Sequence, residues 1–494
     1  MKTTGLVLIS AFVLFFLLGH LSLIDPDEGR YAESAREMMT SNQYLIPLLN
    51  SVPRVNKPIF FYWTIIASYK MFGINEFAAR FPSALSGLLL VLGLYFFVKR
   101  EKKKYSFIPA LILLSSPAFL IISRIAITDM LFTIFIIFSI FSFWLGLSNK
   151  KFILLSFVFA GLSLATKGPV GVILIFLSIA LFSIIEKDSY YLKKLLNPWG
   201  ILVMLSLGGF WYLILFFKIG QVEFIELIKQ ETLGRFQEGF VHRESFYYYI
   251  PLIFIGSLPW TLFLFGLRKI DLTSKINRFL ISYIITTIVF FSFCKSKLPT
   301  YVLSVFPMLA IVLEDSIERL WEKRTKAGLI FFSMLAMISL FFKFIASDFI
   351  DLRLNISFQS IASAIFLIAL PLLILHRKKL KFQFFYLSLA PILIYFYFLL
   401  AHGDAFSNYR STENLFRGRD LNVETIYTWN FFKPSILFYS KSQVQEIGKI
   451  EDLKGKYIVV PKDDISSFKG NVLTFEAISS TDKYLLVQVQ KLQK

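Results

Sequence analysis

Long apolar runs recur along almost the whole chain, broken only by short polar segments. A helix needs about 20 apolar residues to cross roughly 30 Å of hydrocarbon, with about 17–25 the usual range. Candidate spans are 5–23, 77–98, 107–122, 130–148, 152–166, 169–185, 198–217, 250–267, 279–294, 299–313, 327–345, 357–375 and 382–401. Thirteen crossings follow, so the expected fold is an all-α polytopic membrane domain. The apolar stretch 59–72 is too short to cross and reads as an interfacial or re-entrant segment. Composition agrees: 56% of residues are hydrophobic and 17% charged, where soluble chains carry about a quarter charged residues.

The net charge of +19 raises the question of nucleic acid, but its distribution answers it. Basic residues cluster between apolar runs, as in Lys99-Arg100-Glu101-Lys102-Lys103-Lys104 and Arg377-Lys378-Lys379-Leu380-Lys381. This is the positive-inside pattern of cytoplasmic loops. With the N-terminus inside, an alternating path puts most loop Lys and Arg in the cytoplasm. The loop 24–76, Asp129 and everything after about 401 then fall on the external face. The single cysteine, Cys294, excludes an intrachain disulfide and a cysteine metal cluster. The first run has no convincing small-residue cleavage site and reads as an uncleaved helix rather than a signal peptide.

The tail changes character. Residues 402–494 are polar and charged, with strand-like runs at 457–460, 472–475 and 484–489. A small α/β soluble domain is expected here, following a membrane domain over 1–401.

The external loop 24–76 opens with Asp25-Pro26-Asp27-Glu28-Gly29-Arg30-Tyr31-Ala32-Glu33-Ser34-Ala35-Arg36-Glu37-Met38. One reading is structural: Asp25 caps an amphipathic helix, Pro26 takes its first position and Glu28 completes a capping box. That explains the helix start. It leaves unexplained Arg54, the Asn56-Lys57-Pro58 turn and the Phe60-Phe61-Tyr62-Trp63 cluster. Asp129 stands at the external end of another span, where its structural reading is an N-cap. Two carboxylates near Arg and Lys on one membrane face also suit a phosphate-bearing substrate. A carboxylate can take a proton from an attacking hydroxyl while cations stabilise a departing phosphate.

These residues carry a resemblance. Asp25 to Met38, the Lys57-Pro58…Tyr62-Trp63 block, Lys295-Ser296-Lys297-Leu298-Pro299-Thr300-Tyr301 and, more weakly, Thr128-Asp129-Met130 occur in the order found in C-type membrane glycosyltransferases. The chain resembles the superfamily of aminoarabinose transferases and dolichyl-phosphate-mannose-protein mannosyltransferases, and within it the undecaprenyl-phosphate-sugar lipid A transferases. The resemblance implies a polyprenyl-phosphate sugar donor, attack with inversion on the periplasmic face of the bacterial inner membrane, and lipid A or a related glycolipid as acceptor. It implies Asp27 as base or acceptor-orienting group, Asp129 as second acid, and Lys57, Lys297 and Tyr301 at the donor phosphate. Glu28, Arg30, Arg54 and Arg243 are candidate supporting residues. Relatives bind zinc through a Glu before the Lys-Pro pair and a later His. Here those positions are Asn56, a poorer zinc ligand, and His242, so the metal and the aminoarabinose donor are both open.

A protein acceptor, as in mannosyltransferases, changes the acceptor and leaves the chemistry alone. A transporter or flippase of lipid-linked sugar is the reading from a different class. Transporters carry ionisable residues near the bilayer midplane and paired repeats; this chain concentrates charge at span ends and shows no repeat.

Overall fold

The computed structural model describes residues 3–101, 106–230, 244–314, 316–317, 380–419, 421–448, 455–469 and 472–492. The expected spans 327–345 and 357–375, and the site candidates His242 and Arg243, lie outside the described residues.

The membrane body begins with α1 (Thr3–Phe15), α2 (Asp27–Thr40), a hairpin β1 (Leu48–Leu49) and β2 (Val52–Pro53), α3 (Phe60–Phe72) and α4 (Glu76–Glu101). It continues through α5 (Phe107–Ser115), α6 (Pro117–Ile122), α7 (Thr128–Gly146), α8 (Lys151–Lys167), α9 (Val170–Glu186), α10 (Tyr190–Leu195), α11 (Pro198–Ile219) and α12 (Gln221–Lys229). Five helices among the described residues are long and apolar enough to cross a membrane: α4, α7, α11, Lys275–Phe293 and Leu387–Arg410. On α11 the side chains of Trp199, Leu213 and Phe217 are exposed, an outward apolar face that lipid accommodates.

Four expected spans are broken: 5–23 is helical only to Phe15, and 299–313 divides into a 3₁₀ turn at Pro299–Val302 and a short helix Val305–Glu314. The run 107–122 splits at Ser116, which is extended, because Pro117 lacks an N–H and biases the residue before it away from helix. The run 250–267 divides into Tyr249–Gly256, Thr261–Leu264 and a 3₁₀ turn at Phe265–Lys269, with Pro259 between the first two pieces. The stretch 59–72 forms the 13-residue α3, about 20 Å long and too short to span. It lies against α2, where Tyr31 meets Phe61 edge-on and Tyr69 donates to the Ala32 carbonyl.

The tail forms a five-stranded sheet in the order β4-β3-β5-β7-β6: β3 (Thr425–Trp429), β4 (Gln443–Ile447), β5 (Tyr457–Pro461), β6 (Val472–Ser480) and β7 (Tyr484–Leu492). β3 runs parallel to β4 and β5, while β7 runs antiparallel to β5 and β6. The connection from β3 to β4 includes the helix Pro434–Ser440, as a parallel pair requires.

This domain grips the first loop at two points. Asp25 accepts from the Ser435 backbone N–H at 3.0 Å and from the Ser435 hydroxyl, and Tyr439 Oη accepts from Leu23 N–H. Gly29 lets the contact close, since a Cβ there would lie 3.0 Å from Ser435 N. The second point is the hairpin: Asn50 donates to the Val444 carbonyl at 2.7 Å and accepts from the Val444 N–H at 2.9 Å. Asp25 is therefore no helix cap. The helix begins after Pro26 without a side-chain cap, and Asp25 is spent on docking.

Candidate active site

Helices α7 and α8 form an antiparallel pair of 19 and 17 residues, about 28 and 25 Å long. The start of α7 and the end of α8 therefore return to one membrane side. There Lys167 Nζ meets Asp129 Oδ1 at 2.6 Å, both side chains largely buried. Gly168, at φ +89°, ends α8 in a conformation that L side chains rarely adopt, and α9 starts two residues on. Asp129 makes no cap bond to α7. Its carboxylate instead takes the Lys167 ammonium and the Thr300 hydroxyl, with Lys57 nearby.

Beside this pair lies a cavity of about 270 Å³. Lys57, Lys167, Asn56, Ser296 and Tyr301 line it with apolar side chains that include Phe132, Trp211 and Phe291. Lys167 Nζ sits 5.0 Å from the Tyr301 ring centre and 5.2 Å from that of Phe132, so two rings and one carboxylate fix its position. An apolar wall with two lysines at one end suits an amphiphile bearing a phosphate.

Arg54 donates to Tyr62 Oη and lies over the Tyr31 ring at 5.1 Å. Tyr31 is buried, and burial is the main reason its hydroxyl is held well above the usual phenol range; Tyr62 adds to the rise and Arg54 opposes it. Asp27 stands at the exposed start of α2, with Arg30 at 3.5 Å. Its charge reaches both Tyr31 and Arg54, and that of Asp129 reaches Tyr31. The loop thus brings Asp27, Arg30, Arg54 and Lys57 to the neighbourhood of Asp129.

Two candidates sit elsewhere. Lys297 is buried and donates to the carbonyls of Cys294 at 2.6 Å and Glu244 at 3.0 Å, which ties down its own turn; the cation paired with Asp129 is Lys167. Glu28 is also structural. It forms a two-pronged buried ion pair with Arg80 at 2.7 and 2.8 Å and accepts from the N–H groups of Ile24 and Ala126. Arg80 adds bonds to the carbonyls of Leu18, Leu21 and Ser22. Glu28 and Arg80 also border a second cavity of about 530 Å³ between the segment after α1 (Leu17, Leu18, Leu21), α6 and the Leu380–Arg410 helix.

Sequence reasoning missed Lys167, Thr300 and Arg80. A lysine at a span end followed by Gly-Pro was the available signal for the first. Of the two zinc donors the sequence offers, His242 lies outside the described residues. Asn56 offers an exposed neutral amide, and no group of three His, Cys, Asp or Glu side chains suited to a metal occurs among the described residues.

A family model for dolichyl-phosphate-mannose-protein mannosyltransferase matches residues 22–228. The crystal structure of ArnT from Cupriavidus metallidurans bound to undecaprenyl phosphate superposes with a TM-score of 0.83 over 98% of both chains, at 20% identity. The fold is thus that of the C-type, multi-pass membrane glycosyltransferases. An undecaprenyl phosphate-alpha-4-amino-4-deoxy-L-arabinose arabinosyl transferase of Aeromonas salmonicida is 30% identical over 69% of this chain and 67% of its own length. The one from Wigglesworthia glossinidia brevipalpis is 32% identical, over 65% of this chain and 60% of its own. A protein of Aquifex aeolicus of unassigned function is 28% identical over 94% of this chain and 91% of its own. The chain belongs to the superfamily of aminoarabinose transferases and dolichyl-phosphate-mannose-protein mannosyltransferases. It spans about 60% of the length of several aminoarabinosyl transferases it matches.

Proposed function

We propose that this protein transfers a sugar from undecaprenyl phosphate to lipid A or a related glycolipid, with inversion, on the periplasmic face of the bacterial inner membrane. The observation that carries the reading is the Lys57–Lys167–Asp129 cluster at one end of an apolar cavity. In this reading residues 1–401 are the transferase body, with the N-terminus cytoplasmic, and 402–494 are a periplasmic domain.

The acceptor hydroxyl attacks the anomeric carbon while Asp27 orients it and takes its proton. The bond from that carbon to the phosphate oxygen breaks, and its electron pair leaves with undecaprenyl phosphate. Lys57 and Lys167 stabilise this anion, and a lysine is a compact cation suited to that task. Asp129, paired to Lys167, holds the cation in place rather than accepting a proton. Tyr301 frames Lys167, and Arg54 with Arg30 supports the acidic limb. Lys297 and Glu28 act through the fold.

Purified protein given undecaprenyl-phosphate sugar and lipid A should release undecaprenyl phosphate and yield glycosylated lipid A. Sugar crossing sealed vesicles without transfer would establish a flippase instead. The mannosyltransferase match keeps a protein acceptor as the second reading, and transfer to peptide but not to lipid A would favour it.

A further inference from the structure

A second group of cations surrounds Asp25, on the surface of the tail domain and two residues from Asp27. Lys433 lies 3.9 Å from Asp25 and 4.6 Å from the centre of the Tyr484 ring. Lys483 lies 3.7 Å from that of Tyr409, and Arg410 5.9 Å from the same ring. Phe431 stacks on Tyr484 at 5.2 Å, and Phe432 beside it is 39% exposed. Arg30 is close enough for its charge to act on Asp25.

The charges do not balance. Asp25 is the acid in ion-pair contact with this group among the described residues, and Ser435 already occupies both its oxygens. Lys483 and Arg410 are exposed and rest on aromatic faces, which leaves their N–H groups for another partner. Burial, together with repulsion from Lys483 and Arg410, depresses the Lys433 ammonium below its usual range despite Asp25. A bound anion would relieve that repulsion. Aromatic faces beside cations suit the apolar face of a sugar ring that carries phosphate. The height also fits: Tyr409 and Arg410 end the apolar helix Leu387–Arg410, where a lipid head group meets water.

We propose that Lys433, Lys483, Arg410, Tyr409 and Tyr484 form the binding surface for the phosphate-bearing saccharide head group of the acceptor glycolipid. The proposal rests on the glycolipid reading of the acceptor, and it assigns recognition of that acceptor to the tail domain. Tyrosine and arginine at a membrane boundary also serve as simple anchors, which would treat every anionic lipid alike.

The test uses the full chain in nanodiscs of neutral lipid. The probes are a hexosamine disaccharide bisphosphate without acyl chains, the same disaccharide without phosphate, and inorganic phosphate. The bisphosphate should bind at least about tenfold more tightly than either control, and K483Q with R410Q should remove about tenfold of that affinity. In turnover the same double variant should raise acceptor KM and leave donor KM unchanged. Equal binding of inorganic phosphate, or binding indifferent to the variants, overturns the proposal; if the double variant does not purify, K483Q alone decides it. Variant-sensitive binding without any transfer to glycolipid would refute the transferase reading and leave this surface standing. Transfer with an unchanged acceptor KM would do the reverse.

Discussion

Lys167 and Asp129 meet at 2.6 Å where two antiparallel helices come back to the same side of the bundle. The contact pairs a carboxylate and an ammonium that lie 38 residues apart in sequence. It also sets the two acids of the sequence pattern in different surroundings: Asp129 is engaged by an ammonium and a hydroxyl, while Asp27 stands open to solvent.

Breaking the pair from one side should cost more than removing it whole. Lys167→Ala leaves Asp129 buried without its partner, at a cost of about 3–5 kcal/mol. Folded yield in detergent should fall sharply. Asp129→Asn with Lys167→Gln should restore yield while turnover stays at least about tenfold down, since a phosphate cation is gone. Wild-type turnover in the double variant would remove Lys167 from the site.

Asp27→Asn should insert and purify normally, because its side chain is exposed and contacts only Arg30 among the described residues. Turnover should drop about 100- to 10,000-fold, the usual contribution of a proton-transfer group. Donor binding, measured by displacement of undecaprenyl phosphate, should hold. Retained turnover would move the base elsewhere.

Lys57→Ala should act on the donor. Loss of a charge-assisted contact is worth about 1.5–3 kcal/mol, or roughly a 10- to 150-fold rise in donor KM, with acceptor KM unmoved. Donor kinetics that match the wild type would count against a phosphate role.

Glu28→Gln should behave as a fold variant. It uncovers the Arg80 charge in a site with both side chains at most 3% exposed, a loss of about 3–5 kcal/mol. The expected readout is a lower melting temperature and poor yield, with the surviving folded fraction retaining its KM values. A normal melting temperature with lost turnover would return Glu28 to the chemistry.

Much of the scaffold was legible because lipid imposes a simple rule, long apolar runs with basic clusters between them. The sequence pattern located α4, α7, α11 and the Lys275–Phe293 helix to within a few residues, and strands near 457–460 and 484–489. What it could not show is where side chains turn. Asp25 and Glu28 satisfy a helix-start pattern, yet one docks the tail domain and the other neutralises Arg80. Lys297 sits in a suggestive motif, yet its ammonium folds back onto two carbonyls. Lys167 carried only the weak signal of a span end followed by Gly-Pro. Its place follows from a helix pair of matched length, a relation that becomes visible only when the spans are set side by side.

The amide of Asn50 has a meaning beyond holding a hairpin. It meets β4, an outermost strand of the tail sheet, with one donor and one acceptor on the same residue, Val444. That is the pattern by which a neighbouring strand would zip on. An uncovered strand invites a stranger of the same kind, and on a crowded membrane surface the stranger would be another copy of this chain. A single side chain that imitates a peptide group takes up the outward donor and acceptor of Val444, so at that residue the edge is already paired within its own chain.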